Sequence, residues 1–202
     1  LYMGSLKKGA MFGLDARIAL SIFGALSVIS GASLYSAIQN SKATSILVSL
    51  KEVSKAWEHY YLDTGNTIDG AGGDILKIQN LVSNIDSVSN WNGPYLSYEA
   101  ASNVSLVHLD YQYIHLFKAL NTENWGDTAT WSSAGVNEVC VDSDVNCNMW
   151  VQFTKVPNTN FADIIDKQVD GGDGYSKGNF RVITNQSSPN YYILNIASVE
   201  NL

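Results

Sequence analysis

An uncharged, mostly apolar run extends from Ile18 to Ser41, close to the start of the chain. Roughly two dozen residues without a charge are enough to cross a bilayer as a helix, since about twenty residues at 1.5 Å each span the hydrocarbon core. We therefore expect this chain to pass through a membrane. Lys7 and Lys8 precede the run, and basic residues favour the cytoplasmic side, so everything after Lys42 is expected outside.

A carboxylate, Asp15, stands almost at the start of the apolar stretch, where an unpaired charge is costly and normally has a partner. It ends the motif Lys7-Lys8-Gly9-Ala10-Met11-Phe12-Gly13-Leu14-Asp15. This motif resembles the processing site of type IV pilins and type II secretion pseudopilins. In that family a prepilin peptidase cuts after a small residue, and an acidic residue stands fifth in the mature chain. The resemblance implies a leader of residues 1–10 and processing at Gly9, Ala10 and Met11.

The register of the cut favours Ala10, because Met11 is then the first residue and Asp15 the fifth. A cut after Gly9 would make Asp15 the sixth residue. The resemblance implies that the carboxylate of Asp15 neutralises the terminal ammonium of a neighbouring subunit while both helices lie in lipid. The chain differs from the usual family pattern in having Asp for Glu, Ala for Gly and a charged Arg17. Arg17 is expected either to reach the interface or to pair with Asp15.

Two other interpretations of this segment stay open. In the first interpretation, Asp15 and Arg17 are polar residues that flank an ordinary membrane anchor. In the second the segment is a secretory signal, with a cleavage site at residues 30–32. The apolar run is somewhat long for a signal, and a helical pattern continues beyond it.

One long helix is predicted over residues 11–61, because no proline interrupts them. Its length would be roughly fifty residues, or about 75 Å, and its first half would be the transmembrane part. Gly24 and Gly31 are expected either to permit local melting or to allow close helix packing in the membrane. Its apolar stripe consists of Leu34, Ile38, Ile46, Leu50, Val53, Ala56, Trp57 and Tyr60.

A second motif, Trp91-Asn92-Gly93-Pro94-Tyr95-Leu96, follows a glycine that ends the helix at Gly65. Both are similar to elements of the major pseudopilin of type II secretion, in the same order. The Pro-x-Asp-Pro-Trp-Gly segment that usually follows in that family is missing. The sequence therefore leaves open which branch of the superfamily the chain resembles most.

The remainder, residues 62–202, is predicted to form an α+β head. A short helix is expected after Asp74, and another over residues 161–169. Residues 179–197 are expected to form a hairpin. Together these features predict a pilin fold, in which a helical spine precedes an antiparallel sheet. Strands are predicted over residues 95–98, 104–109, 111–117, 136–141, 149–155, 180–184 and 191–197.

The only two cysteines, Cys140 and Cys147, are expected to form a disulfide in an oxidising compartment. Its stabilisation should be on the order of 2 to 3 kcal/mol for so short a loop. The three histidines are scattered, so we expect solvated or core histidines and no zinc site.

Two acidic loops are candidates for calcium, which takes oxygen ligands. Asp142, Asp144 and Asn146 have the opening spacing of an EF-hand loop, although its glycine and terminal glutamate are missing. Asp170 and Asp173 lie in a glycine-rich loop that resembles a calcium-carrying loop of related pseudopilins. No cofactor is expected to be required, and calcium is the one ion that these loops suggest.

The formal net charge of −7 opposes nucleic-acid binding, because a phosphate backbone is neutralised by clustered basic residues. No phosphate-binding glycine loop or nucleophile-elbow serine motif is present, so we expect no enzyme activity. The resemblance implies a filament subunit that is held in the inner membrane and then assembles with copies of itself into an extracellular or periplasmic filament. Its implied partners are membrane lipid, the prepilin peptidase and an inner-membrane assembly platform. A membrane-anchored or secreted binding module, such as an adhesin, and a minor pilin at the filament tip are the alternatives.

Overall fold

The computed structural model describes residues 8–72, 75–121, 125–127, 140, 146–157, 160–185 and 188–198. Their side chains are described from residue 13 onward, except those of Asn185, Ser188 and Pro189. The chain divides into two compact units, Leu1–Ser41 and Lys42–Leu202. We describe each unit by itself.

Helix α1 spans Lys8–Thr64 and has 57 residues, which confirms the long helix predicted from the sequence. The helix ends as its glycine cap predicts. Gly65 has a φ of +67°, and its backbone N–H donates to the Tyr61 carbonyl at 2.8 Å. Gly24 and Gly31 both lie inside the helix, where an added Cβ would meet open space.

The second half of α1 supplies one side of the core of the larger unit. Because every third or fourth residue returns to the same face of a helix, apolar residues at that spacing form a buried stripe. The predicted stripe is correct from Ile46 onward, whereas Leu34 and Ile38 are 63% and 44% exposed. The buried stripe consists of Ala43, Ile46, Leu47, Leu50, Val53, Ala56, Trp57 and Tyr60.

Six antiparallel strands form one sheet that packs on this stripe, which confirms the α+β fold class. Their order across the sheet is β1-β2-β3-β4-β6-β5. Helix α2, Asn160–Val169, lies between β4 and β5 in the chain and was predicted within one residue. The strands are β1 Glu99–Ser102, β2 Ser105–Val107, β3 Tyr113–Leu120, β4 Cys147–Val156, β5 Phe180–Asn185 and β6 Ser188–Ser198.

The predicted strand at residues 95–98 is wrong, since this segment is irregular and the strand β1 begins only at Glu99. The N–H groups of Tyr95 and Leu96 both donate to the Leu81 carbonyl instead of joining the sheet. The hairpin of β5 and β6 is confirmed. Apart from Cys140, the strand predicted over residues 136–141 lies outside the described residues.

The predicted short helix after Asp74 is also wrong. Asp74 itself lies outside the described residues, and only a 3₁₀ turn, Ile78–Leu81, forms in the described part of this segment. Ile75 forms a bridge with Phe117 of β3, and the Leu76 N–H donates to the Leu116 carbonyl at 2.9 Å. Because β2 pairs with β3 only near its start, this part of the β3 edge offers backbone groups to another segment. Pairing with that edge prevails over the helical pattern of the sequence.

Alternate residues of the strands face opposite sides of the sheet. Toward α1, the side chains of β3, β4, β5 and β6 join the main core cluster. On the opposite side a smaller cluster surrounds Trp125 and Trp150, whose rings meet edge to face at 4.7 Å between centroids. The buried guanidinium of Arg181 lies 4.3 Å from the Trp125 ring centre.

Candidate functional site

The first unit presents apolar side chains around the helix. Each of its large apolar residues from Leu14 to Ile38 is between 44% and 73% exposed. Exposing so large a contiguous apolar surface to water is unfavourable, so the segment belongs in lipid or against other protein. A helix of this kind near the N-terminus indicates membrane association or secretion. The exposed large apolar residues of this unit are Leu14, Ile18, Leu20, Ile22, Phe23, Leu26, Val28, Ile29, Leu34, Tyr35 and Ile38.

Asp15 and Arg17 lie exposed on α1 and do not pair with each other. Residues two apart on a helix point to different sides, which explains why pairing within one chain, one of the two alternatives for Arg17, does not occur. Among the described residues the one salt bridge joins Lys77 and Asp86. The carboxylate of Asp15 therefore has no cationic partner in the described part of its own chain.

The three residues at the proposed cut, Gly9, Ala10 and Met11, lie in the first turns of α1. Residues 1–7 of the predicted leader lie outside the described residues, so the processing site stays a prediction.

The second motif joins the end of α1 to the 3₁₀ turn. The hydroxyl of Tyr95 donates to Asp63 near the end of α1 at 3.0 Å, and it accepts the Asn92 N–H at 2.9 Å. The indole N–H of Trp91 donates to the Asn80 carbonyl at 2.7 Å. Each aromatic residue of the motif thus has a polar partner on a different element. The motif therefore links the helix to the loop that follows it.

Gly93 allows these two aromatic rings to approach each other. A Cβ at this position would lie 2.5 Å from the Trp91 ring and 2.8 Å from the Tyr95 ring. The two rings meet edge to face with 5.7 Å between centroids. The Gly93–Pro94 peptide bond is cis. Glycine is therefore required here by the close approach of Trp91 and Tyr95.

An open groove of about 480 Å³ lies between this motif and α1. It carries both signs of charge, from Lys55 on one hand and from Glu52 and Asp63 on the other. Its remaining lining residues are Ala56, His59, Asn92, Pro94 and Tyr95.

The structure brings the predicted calcium residues Asp170 and Asp173 together and adds Asp166. One carboxylate oxygen from each of the three lies within 4.8 Å of the others. Asp166 is 5% exposed, and its Oδ1 has no hydrogen-bond partner, whereas its Oδ2 accepts the Gly174 N–H at 3.2 Å. Burial raises the pKa of Asp166; the Gly174 hydrogen bond opposes this effect, and the charges of Asp173 and Asp170 add to it. Three neighbouring carboxylates, one of which has a buried oxygen without a hydrogen-bond partner, are suitable ligands for a hard cation.

Asp170 also has a role that needs no ion. Its carboxylate accepts the backbone N–H groups of Asn179 at 2.9 Å and Phe180 at 2.7 Å, where β5 begins. Gly178 lies against this carboxylate, and an added Cβ there would be 2.5 Å from Asp170 Cγ. Asp170 is therefore a poor choice for testing calcium binding, because its loss would disturb the loop in any case.

Calcium is expected to raise the melting temperature of the full chain in detergent. Binding to the folded state alone stabilises by about 2.7 kcal/mol when the ion is at a hundred times its dissociation constant. Asp173→Asn, which changes an exposed carboxylate of the cluster, should remove the calcium effect. Glu58→Gln on α1 is the control and should keep it. Equal melting of the unaltered protein in calcium and in chelator would contradict the prediction.

Cys140 and Cys147 form a disulfide, as predicted, with 5.7 Å between their Cα atoms. Cys147 starts β4 and pairs with Leu120 of β3. Asp142 and Asp144 of the first calcium loop lie outside the described residues, so that calcium prediction remains a prediction. Asn146 is described, and its carbonyl accepts the Asn121 N–H at 2.7 Å.

His108 is a core histidine, as expected. Its Nδ1 accepts the backbone N–H groups of Asp110 at 3.1 Å and Tyr111 at 3.2 Å, which needs an unprotonated nitrogen. The ring also lies 4.9 Å from the Phe153 ring between centroids. Burial lowers the pKa of His108, although Asp110 and Glu52 oppose this effect.

Acid is expected to destabilise the protein through His108. Because its pKa is lowered in the folded state, the unfolded state binds more protons once the pH falls below about 6.5. Stability is full above that pH and falls below it, by at most about 1.4 kcal/mol per pH unit for each such histidine. Unfolding by denaturant at pH 7.5 and 5.5 should show this loss, and His108→Gln should reduce it. Greater stability at pH 5.5 would contradict the prediction.

One pair in the structure, Ser105 and His115, resembles part of a hydrolytic triad. Ser105 Oγ lies 2.8 Å from His115 Nε2, and burial lowers the pKa of His115. A triad also needs an acid that orients the histidine through its other nitrogen. In the part of the chain that the structure describes, Ser105 is the only hydrogen-bond partner of this ring. The pair therefore lacks the third group of such a site among the described residues.

Comparisons with protein-family models, curated proteins and solved structures gave no match to this chain. The architecture of the chain is therefore the basis for comparison. A long apolar N-terminal helix is followed by an antiparallel sheet that packs on the second half of that helix. The architecture is pilin-like. In this pilin-like chain the sequence analysis identified the apolar segment, the aromatic motif and two of the three clustered carboxylates. It missed Asp166, whose signal was its position one helical turn before Asp170.

Proposed function

We propose that this chain is the structural subunit of a type IV pilus or of a pilus-like filament, a pseudopilus, and that it polymerises through its N-terminal helix. The exposed apolar surface from Leu14 to Ile38 carries this proposal. Such a surface is suited first to lipid and then to the same segment of neighbouring copies. The larger unit has its own core from Ala43 onward and remains available as the filament surface.

Asp15 supports assembly from copies of the same chain. Its carboxylate has no cationic partner among the described residues, yet it stands at the edge of a segment long enough to enter lipid. A terminal ammonium at Met11 of a neighbouring copy would neutralise it. The pathway therefore includes a prepilin peptidase, which creates that ammonium, and an inner-membrane assembly platform. The chain resides in the inner membrane before assembly and in an extracellular or periplasmic filament afterwards.

We propose a mechanical role without catalysis, which agrees with polymerisation through the exposed apolar surface of the N-terminal helix. The alternatives are a membrane-anchored or secreted binding module and a minor pilin at the filament tip. A binding module needs no interaction between Asp15 and a second copy, and a tip pilin would be scarce beside the major subunit.

The mass and N-terminal sequence of the native protein test the proposal. Material sheared from the cell surface is expected to contain a chain that starts at Met11, with a methylated amino group. A start near Ser33 would indicate a secretory signal and would contradict the proposal. An intact leader in the sheared fraction would contradict processing and favour an anchored module.

A further inference from the structure

The apolar part of α1 contains two opposite charges. Within residues 11–41 the sequence has one carboxylate, Asp15, and one basic residue, Arg17. The next charge along the chain is Lys42, and the next carboxylate is Glu52. Asp15 and Arg17 are both exposed, and neither has an ion-pair partner among the described residues of its own chain. Both charges therefore lie in a segment that lipid or other protein must cover.

Helix geometry directs the two charges to opposite sides of α1. Successive residues of a helix are about 100° apart around the axis and about 1.5 Å apart along it. Asp15 and Arg17 are thus about 160° apart around the axis but only about 3 Å apart along it. They lie at nearly the same height on the helix and project from opposite sides.

Two copies of the chain in one membrane are complementary at this height. Lys7 and Lys8 favour the cytoplasmic side in every copy, so the helices of neighbouring copies are parallel. Asp15 of one copy then lies at nearly the same depth as Arg17 of the next. Packed helix axes are about 8 to 10 Å apart, a gap that a long arginine and a short aspartate side chain can bridge.

The apolar neighbours of Arg17 explain why it needs a partner in a filament. Leu14 and Ile18 are 61% and 51% exposed, so a surface that covers them also covers the base of Arg17. In the bilayer a long basic side chain can reach the lipid headgroups, but packed helices outside the membrane offer no headgroups. A covered charge without a counter-charge is strongly unfavourable. In residues 11–41 of a neighbouring copy, the one carboxylate is Asp15.

We propose that Arg17 forms an ion pair with Asp15 of a neighbouring copy, so that the partner of this part of α1 is a second copy of the same chain. The pair depends on the proposed filament function and adds a contact to it. A carboxylate has about four lone-pair sites, so Asp15 can accept from the guanidinium of one copy and from the terminal ammonium of another. The two pairings are therefore compatible.

The opposite placement of the two charges makes this contact open-ended. Each copy offers Asp15 to one neighbour and Arg17 to another, so the same contact repeats from copy to copy. A head-to-tail contact of this kind builds a ring or a helical filament, whereas a two-fold dimer uses one self-complementary face. The ion pair therefore fits an extended assembly better than a closed dimer.

Arg17→Asp in the full chain tests the pair through the amount of filament in sheared surface material. It should reduce filaments more than about tenfold, because two acids then face each other between copies. Asp15 is kept, so a pairing with the terminal ammonium alone would leave the amount unchanged. Arg17→Gln should also reduce filaments, and Arg17→Lys should retain them. Lys42→Gln, at an exposed position just beyond the apolar run, is the control and should assemble normally.

Co-expression of Arg17→Asp with Asp15→Arg separates an ion pair from any other role of Arg17. Neither variant should assemble alone, because one has two acids and the other two basic residues at these positions. Together they place opposite charges across every contact between unlike copies, and filaments that contain both chains should return. Immunoblots of the membrane fraction correct each yield for the amount of inserted chain. A loss that co-expression does not reverse would overturn the pair and favour a contact of Arg17 with lipid headgroups.

Two further results distinguish the pair from the filament function on which it depends. If the unaltered protein forms no filaments, the proposed function and the pair are both overturned. If the unaltered protein forms filaments and both Arg17→Asp and Arg17→Gln form as many, the pair alone is overturned.

Discussion

Asp15→Ala is expected to reduce the filaments in sheared surface material by more than about tenfold, while the chain still reaches the membrane and its larger unit folds. A buried charge left without its partner costs about 3 to 5 kcal/mol, and each 1.4 kcal/mol changes an equilibrium tenfold. In the variant that charge would be the terminal ammonium of the neighbouring copy. Electron microscopy and immunoblotting of the sheared fraction measure the effect.

Two substitutions at the same position separate charge from shape. Asp15→Asn keeps the size of the side chain but removes its charge, and it should assemble as poorly as Asp15→Ala. Asp15→Glu restores the charge and should recover filaments. The larger unit has a core that starts at Ala43, so its melting should be unchanged in all three variants. Normal filament levels in Asp15→Ala would favour the anchored binding module.

Gly93→Ala is expected to lower the free energy of unfolding by about 2 to 3 kcal/mol. The added methyl group would lie 2.5 Å from the Trp91 ring and 2.8 Å from the Tyr95 ring, so at least one ring must move. Moving Tyr95 would disturb its hydrogen bond to Asp63 at the end of α1. Denaturant unfolding of the full chain in detergent measures the difference.

Asn92→Ala is the matched control, because Asn92 is exposed in the same motif and contributes its backbone N–H to the Tyr95 hydroxyl. That N–H remains in the variant, so its stability should lie within about 0.5 kcal/mol of the unaltered protein. If Gly93→Ala unfolds like the control, the close approach of the two rings does not explain the glycine.

The parts of the fold predicted best are those set by local pattern. The period of the apolar residues and the absence of proline predicted α1, and glycine predicted its end at Gly65. The strand-like runs over residues 149–155, 180–184 and 191–197 predicted most of β4 and the hairpin of β5 and β6. These features depend on residues close together in the sequence.

The errors occur where a distant segment decides the local structure. Ile75 and Leu76 pair with the free edge of β3, about forty residues later in the chain, and no helical pattern reveals this. Leu96 was predicted in a strand, but its N–H donates to the Leu81 carbonyl. Leu34 and Ile38 share the period of the buried stripe and are exposed, because the core begins only at Ala43.

The candidate sites show the same difference between residues that are close in the sequence and residues that only the fold brings together. Asp15 and the motif from Trp91 to Leu96 are visible in the sequence because their residues are contiguous. Pairs between strands are not visible, because residues such as His115 and Gln152 are brought together only by the register of β3 and β4. The same holds for Ser105 and His115, which meet across β2 and β3.

Electron cryomicroscopy of filaments sheared from the native cell surface tests the central claim most directly. We expect a helical assembly of this one chain in which residues 11–41 of many copies pack together along the axis, with Asp15 near the first residue of a neighbouring copy. The larger unit should form the outer surface. Filaments built from another protein, with this chain found only as single copies in membrane, would contradict the account.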